Sequence, residues 1–470
     1  MALMATKESL VQRLRPHHQE HLLAFWDELS EERREKLAAQ IDAIDFTAIT
    51  ELLSKEHGGP DFAALAARAE SPPSFRLGVG DDRSSAADAR AAAIASFSRG
   101  EVGAILVAGG QGTRLGFPHP KGMFPIGPVS HAPLFQILFE KVLGFSRRYG
   151  RPVPLYLMTS PATHEETIAY LDEHSRFGLS ANDVHVFCQG QMPAADMATG
   201  RLLLEAKDSL ALSPDGHGGM LAALAKNGLL ADMRRRGLAH LLYFQVDNPL
   251  ADFTDPSFLG YHLLTRSEMT SQVVRKQIPL ERVGNVVSVD GRLQIIEYSD
   301  LPDDAAKLTN SDSSLKLWAG SIAVHVFELA FLERMQNEAG GLPFHVARKK
   351  VPHIDQSGNR IEPQAPNAVK FERFIFDLLP SAERAIVVEI DAARGFAPVK
   401  NAAGEKQDTP EAVQAAMIAL HTGWLRQAGA TVDPGVPVEI SPLFALDAAE
   451  LATKIPSGLK VTQGTYFGKE

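Results

Sequence analysis

Apolar and polar positions follow different rhythms in successive parts of this 470-residue chain. Up to about residue 100 the apolar residues recur at helical spacing: Leu10, Leu14, Leu22, Phe25 and Leu29 form a broken stripe, and Leu37, Ile41 and Ile44 a second. Ser30, ahead of Glu31 and Glu32, predicts a helix start, since a side-chain oxygen can cap free N–H groups and acids favour the positive end of the dipole. Gly-Gly-Pro at 58–60 and Ser-Pro-Pro-Ser at 71–74 predict turns, and the alanine-rich stretch 86–95 one more helix. From 101 to about 380, short apolar runs alternate with helical segments, with strands expected at 153–158, 184–187, 241–246, 271–274, 286–289, 293–296 and 322–326. That alternation predicts an α/β domain with a mixed, mostly parallel sheet, whose ligand crevice lies at the carboxyl ends of the strands. After about 381 come a strand-like run at 385–390, a helix at 410–427 and a tail punctuated by Pro and Gly. The expected organisation is a helical N-terminal region (1–100), an α/β core that forms the ligand crevice (101–380) and a small C-terminal domain (381–470).

Charge and composition narrow the partners. Lys and Arg number 47 against 57 Asp and Glu, a net charge of −10, which argues against a broad nucleic-acid or anionic-membrane surface. Any phosphate site must be a local positive spot. The single cysteine, Cys188, rules out an intramolecular disulfide, fits a reducing compartment and reads as a strand residue. The N-terminus has no basic segment followed by an apolar core, and no run of about 18 apolar residues occurs, so the expectation is a cytoplasmic protein off the membrane. No protein-partner surface stands out. His17, His18 and His21 have no carboxylate or cysteine arranged around them and read as a solvated helix face.

One stretch carries chemistry. Ile105-Leu106-Val107-Ala108 is a buried-strand run that breaks into Gly109-Gly110-Gln111-Gly112-Thr113-Arg114-Leu115-Gly116 and continues to Pro120-Lys121-Gly122. Glycines let successive N–H groups point into one concavity, where a phosphate chain can bind, and Arg114 and Lys121 add two positive charges. Spacing excludes the two familiar loops. Glycines at 110, 112 and 116 do not give Gly-x-Gly-x-x-Gly, and Lys121 precedes Gly122 where a P-loop lysine follows its glycine. Asp247 ends the strand-like Tyr243-Phe244-Gln245-Val246, a natural position for a magnesium ligand, and Asn248 reads as a cap or turn residue.

Ala-Gly-Gly-Gln-Gly-Thr-Arg-Leu-Gly followed by Pro-Lys-Gly-Met resembles the signature of the UDP-N-acetylhexosamine pyrophosphorylases, the eukaryotic-type branch of the UDP-sugar pyrophosphorylases. The resemblance continues in ordered segments from about residue 15 to 430. It implies a Rossmann-like nucleotidyltransferase core and the joining of UTP to a sugar 1-phosphate with release of pyrophosphate, aided by Mg2+. Arg114 and Lys121 match the catalytic positions, and Val107, Ala108, Gly109 and Gly110 the nucleotide loop. Gln189, in Gln-Gly-Gln-Met-Pro, matches the glutamine that meets uracil, and Gly216, in Pro-Asp-Gly-His-Gly-Gly, should lie against the base. Lys370 and Lys400 match phosphate-facing lysines, and Asp247 the metal-binding aspartate. Gly284 and Glu297 match sugar contacts, as do His217 and Ser321 by position. The run Arg348-Lys349-Lys350 also follows the pattern, though a solvated surface explains it equally.

Three positions depart from that pattern. His217 and Ser321 stand where the family has asparagines expected to read the N-acetyl group, and Arg275 replaces a glutamate, adding positive charge near the sugar side. A site stripped of those amides should relax or redirect its choice. N-acetylglucosamine 1-phosphate is the leading substrate, with glucose 1-phosphate or a broad range as the alternative. A binding protein without turnover is disfavoured by the intact Arg114, Lys121 and Asp247. A Rossmann dehydrogenase is disfavoured by the glycine spacing and the missing acidic residue on a following strand, and a serine hydrolase has no Gly-x-Ser-x-Gly to support it.

Overall fold

The computed structural model describes residues 6–54, 61–78, 85–338 and 341–468, so the turn expected at 58–60 lies outside it. Contacts divide the chain into two compact units that interleave in sequence: Met1–Asp61, Gln189–Met220 and Leu342–Asp377 form one, and Phe62–Cys188, Leu221–Gly341 and Leu378–Glu470 the other. These discontinuous units do not coincide with a linear partition at about 100 and 380.

The larger unit is built on a ten-stranded sheet. Its principal strands are β1 (Val102–Val107), β2 (Leu155–Thr159), β3 (Val184–Cys188), β4 (His240–Gln245), β5 (Met269–Arg275), β6 (Asn285–Val289), β7 (Arg292–Ile296), β8 (Ala319–Glu328) and β9 (Ala385–Ile390). The order across the sheet is the short strand Ser74–Phe75, then β9, β5, β8, β4, β1, β2 and β3, with β6 joined to β8 and carrying β7. β4, β1, β2 and β3 run parallel, and β5 parallel to β9; β8 lies antiparallel between β4 and β5. The mixed, mostly parallel α/β sheet is therefore as the alternation predicts. β1 and β4 are buried on both faces along most of their length, which is why they read as continuous apolar runs. Among the helices, α1 (Ala86–Arg99) starts at Ser85, whose side chain accepts from Asp88 N, and ends at Gly100 with φ 75°. α2 (Leu134–Tyr149) buries Phe135, Phe139 and Phe145, each contributing about 1.5–3 kcal/mol. α3 (Pro410–Gln427) packs on a separate apolar cluster that includes Leu425, Val438 and Leu451.

In the smaller unit, Leu10, Leu22, Phe25, Leu37 and Ile41 form one core with Leu202, Val369 and Phe371. The first stripe is broken because Arg15–His17, Glu20–Leu23 and Trp26–Glu28 are short 3-10 turns. Helix Glu31–Asp42 does begin after Ser30, but the serine makes no side-chain cap bond, leaving the acids of the first turn as the favourable feature. Of the three histidines His18 is exposed as expected, whereas His17 stacks on Phe46 and His21 is half-buried with Nε2 2.8 Å from Leu202 O. Among the described residues no helix is long and apolar enough to cross a membrane.

Candidate active site

In the larger unit, the glycine loop leaves the carboxyl end of β1 beside the carboxyl end of parallel β4, with Val107 opposite Gln245. Ala108 N donates to Met158 O at 2.7 Å, and Ser160 Oγ donates to Gly109 O at 2.7 Å, so the loop's first residues are clamped. The loop then closes on itself: Gly112 N donates to His119 O at 2.8 Å and Lys121 N to Gly110 O at 3.0 Å. Each glycine has its own reason. A Cβ on Gly112 would lie 2.7 Å from Phe117 O, and Gly116 has φ 70°, whereas a Cβ on Gly110 would meet nothing within 4 Å. Gly110 is thus open where the chain itself makes no demand. Arg114 projects from the exposed turn Thr113–Leu115, and Lys121 opens the turn Lys121–Met123 half-buried.

Asp247 follows β4, and a late segment is laid beside it. Val399 N donates to Asp247 O at 2.8 Å. Asn248, 3% exposed, is more than a cap: Nδ2 donates to Gly395 O at 2.8 Å and Oδ1 accepts from Ala397 N at 3.1 Å. Lys400 is thereby brought to Asp247, and Lys400 N donates to Asp408 O at 2.8 Å. Burial pulls the Lys121 pKa down, Asp247 and Asp408 oppose that shift, and Lys400 and Arg114 add to it. Five charged groups therefore share one field.

Sequence reasoning missed Asp408. Burial raises its pKa while Lys400 and Lys121 lower it, and its backbone is left-handed at φ 55°. The signal that could have found it is Asp408-Thr409 directly ahead of α3, a polar turn fixed by the capping Thr409 and by Pro410 in the first position of the helix.

Three of the expected sugar residues also come together in the larger unit. Ser321 N donates to Gly284 O at 2.8 Å, and a Cβ on Gly284 would lie 3.0 Å from Glu297 Oε1. A register shift between Ser271 and Val273, with Ala323 at φ 55°, sets the strand geometry around Ser321. Arg275 is engaged elsewhere: its Nε lies 3.0 Å from Glu389 Oε1, on a buried carboxylate shared with Arg76.

The smaller unit holds Gln189, Gly216, His217 and Lys370. Gln189 is buried, and Asp215 N donates to Gly190 O at 3.1 Å. Gly216 has φ 85° and lies against the Arg373 backbone, so its missing side chain already has an internal explanation. His217 stacks on Phe374 with centroids 5.3 Å apart, and its Nδ1 accepts from Ile375 N at 3.2 Å. Burial, then His345, pushes its pKa down to about 4. The ring is neutral at pH 7 with its proton on Nε2, a fixed N–H donor where the resembling family has an amide. Lys370 lies mid-strand in Ala368–Glu372, opposite Ala347. Arg348, Lys349 and Lys350 are all exposed. No group of three or more His, Cys, Asp or Glu fit to hold a metal occurs among the described residues.

Comparison with known proteins gives the chain its relatives. Residues 88–447 match the model of a family described as UTP--glucose-1-phosphate uridylyltransferase. The human UDP-N-acetylhexosamine pyrophosphorylase-like protein 1 is 36% identical over 99% of this chain and 96% of its own length. The Saccharomyces cerevisiae UDP-N-acetylglucosamine pyrophosphorylase is 38% identical over 74% of each. The crystal structure of the Trypanosoma brucei uridine diphosphate N-acetylglucosamine pyrophosphorylase, in complex with an inhibitor, superimposes with TM-score 0.81 at 27% identity, covering 98% of this chain and 99% of that one. The glycine loop, the charged set beside it and these matches along nearly the whole length agree, and the chain belongs to the UDP-sugar pyrophosphorylase family of nucleotidyltransferases, on the branch of the UDP-N-acetylhexosamine pyrophosphorylases.

Proposed function

We propose that the chain transfers a uridylyl group from UTP to a hexose 1-phosphate, N-acetylglucosamine 1-phosphate foremost, giving a UDP-sugar and pyrophosphate. The observation that carries this reading is Lys121, held in one field with Arg114, Lys400 and Asp247 beside the open backbone at Gly110. A phosphate monoester has a second pKa of about 6, so the attacking oxygen is already ionised and no general base is needed. The task is to hold two polyanions in line and offset charge on the departing pyrophosphate. In this reading Arg114 and Lys121 do the latter, Val107 to Gly110 cradle the nucleotide, and Lys370 and Lys400 face phosphates. Gln189 and Gly216 take the uracil on the resemblance alone.

Asp247, half-buried at a strand end with a carboxylate as its donor, has the hard oxygen chemistry that Mg2+ prefers. Such an ion needs only one or two carboxylates besides substrate phosphates, and when bound it would neutralise charge on them. His217, Gly284, Glu297 and Ser321 are the proposed sugar contacts, and the cytoplasm is the proposed compartment. A second reading, with glucose 1-phosphate preferred, is favoured by the histidine and serine at 217 and 321. The test is pyrophosphate release from UTP and Mg2+ with N-acetylglucosamine, N-acetylgalactosamine, glucose and galactose 1-phosphates. Preference for an N-acetylated sugar supports the first reading and preference for glucose the second; no release with any sugar defeats both.

A further inference from the structure

A buried lysine stands behind the sugar residues of the larger unit. Lys276 is 4% exposed and Asn285 1%. Lys276 Nζ donates to Asn285 Oδ1 at 2.6 Å, and Asn285 Nδ2 makes longer bonds to Val283 O at 3.3 Å and Ile296 O at 3.4 Å. Val283 directly precedes Gly284, and Ile296 directly precedes Glu297. One amide therefore spans the two segments that carry the proposed hexose contacts. Lys276 is itself anchored, since its N–H donates to Trp318 O at 2.9 Å in the run leading to Ser321.

Burial makes this an expensive place for an ammonium, and it lowers the lysine's pKa, with Glu281 opposing the shift. An apolar side chain would avoid that cost, so the cation must be explained by what it holds. An amide can sit in two orientations, and a lysine, which only donates, accepts one of them: oxygen towards Nζ, Nδ2 towards the two carbonyls.

We propose that Lys276 is a positioning residue for hexose recognition, fixing through Asn285 the separation of Gly284 and Glu297. This rests on the sugar assignment above. Loosening the brace should weaken sugar contacts and leave nucleotide contacts alone. By calorimetry on the full chain, UDP is compared with whichever of UDP-N-acetylglucosamine and UDP-glucose binds more tightly. In Lys276→Met the Kd for the UDP-sugar should rise about tenfold while that for UDP stays put, the pattern of a lost uniform contact to one part of a ligand. Lys276→Met also leaves a buried amide oxygen unpaired and lowers Tm, so the double variant Lys276→Met/Asn285→Val is the control. It should regain Tm and still lack the sugar increment. Recovery of the increment along with Tm would show a purely structural pair and overturn the proposal. So would an unchanged increment in Lys276→Met, or a wild-type chain that binds the UDP-sugar no more tightly than UDP. A wild-type chain that shows the increment but releases no pyrophosphate defeats the uridylyltransferase reading and leaves the brace standing.

Discussion

At Gly110 an added side chain would meet nothing within 4 Å, whereas at Gly218 it would lie 2.7 Å from the backbone of Arg373 and Phe374. Gly219 likewise faces the Asp215 carboxylate, and Gly216 the Arg373 carbonyl. The two glycine-rich segments look alike in sequence, yet the first keeps one position, Gly110, open to whatever binds, while Gly216, Gly218 and Gly219 of the second all lie against their own chain. A glycine motif thus reports a close approach without saying to what, and only the surroundings separate a ligand loop from a packing loop.

The largest effect should come from the charged group on the open side. Lys121→Ala should lower kcat for pyrophosphate release by roughly 100- to 1000-fold while UTP binding by calorimetry persists, since charge on the leaving group develops in the transition state. The two kinds of glycine should then split. Gly110→Ala should cut turnover by at least about tenfold through displaced phosphates, with Tm nearly unchanged. Gly218→Ala should cost about 1–3 kcal/mol of stability by overpacking, seen as a lower urea midpoint. If Gly110→Ala destabilised the fold and Gly218→Ala did not, the contrast would be wrong.

A smaller effect concerns the sugar. His217→Asn should shift the ratio of kcat/KM between N-acetylglucosamine 1-phosphate and glucose 1-phosphate several-fold towards the former, by restoring an amide where a ring N–H now stands. An unchanged ratio would remove His217 from the sugar assignment. The smallest effect is on stability. The buried ring has its pKa at about 4, below the ordinary 6.5, so the unfolded chain takes up the proton first as pH falls. Stability from this group is present above about 6.5 and lost as pH drops towards about 4. Between pH 7 and pH 5 the urea midpoint of His217→Asn should therefore fall less than that of the wild-type chain.

Much of the larger unit was legible because its strands announce themselves. The run 385–390 and the helix 410–427 match the observed elements, and the strands expected near 155, 184, 241 and 293 start or stop within two residues of those found. Continuous apolar runs buried on both faces, such as Leu155–Thr159 and His240–Gln245, leave little ambiguity. Arg114, Lys121, Asp247 and Lys400 were legible as charges in fixed motifs. Asp408 was not, because a left-handed residue before a helix has no periodicity to betray it. Nor was the Lys276–Asn285 brace, since its meaning lies in which carbonyls the amide reaches. Interleaved units escape a linear reading because contacts between distant segments define them.

The segment from Gly395 to Lys400, tied to Asn248 and Asp247, also has a bearing on how the protein is made. The glycine loop and Lys121 leave the ribosome first, Asp247 later, and the backbone that completes their charged set last of the three. A nascent chain can shape its phosphate loop long before it can hold the whole set, and a transcript truncated ahead of codon 395 would encode a protein with the loop and without the partner that closes it.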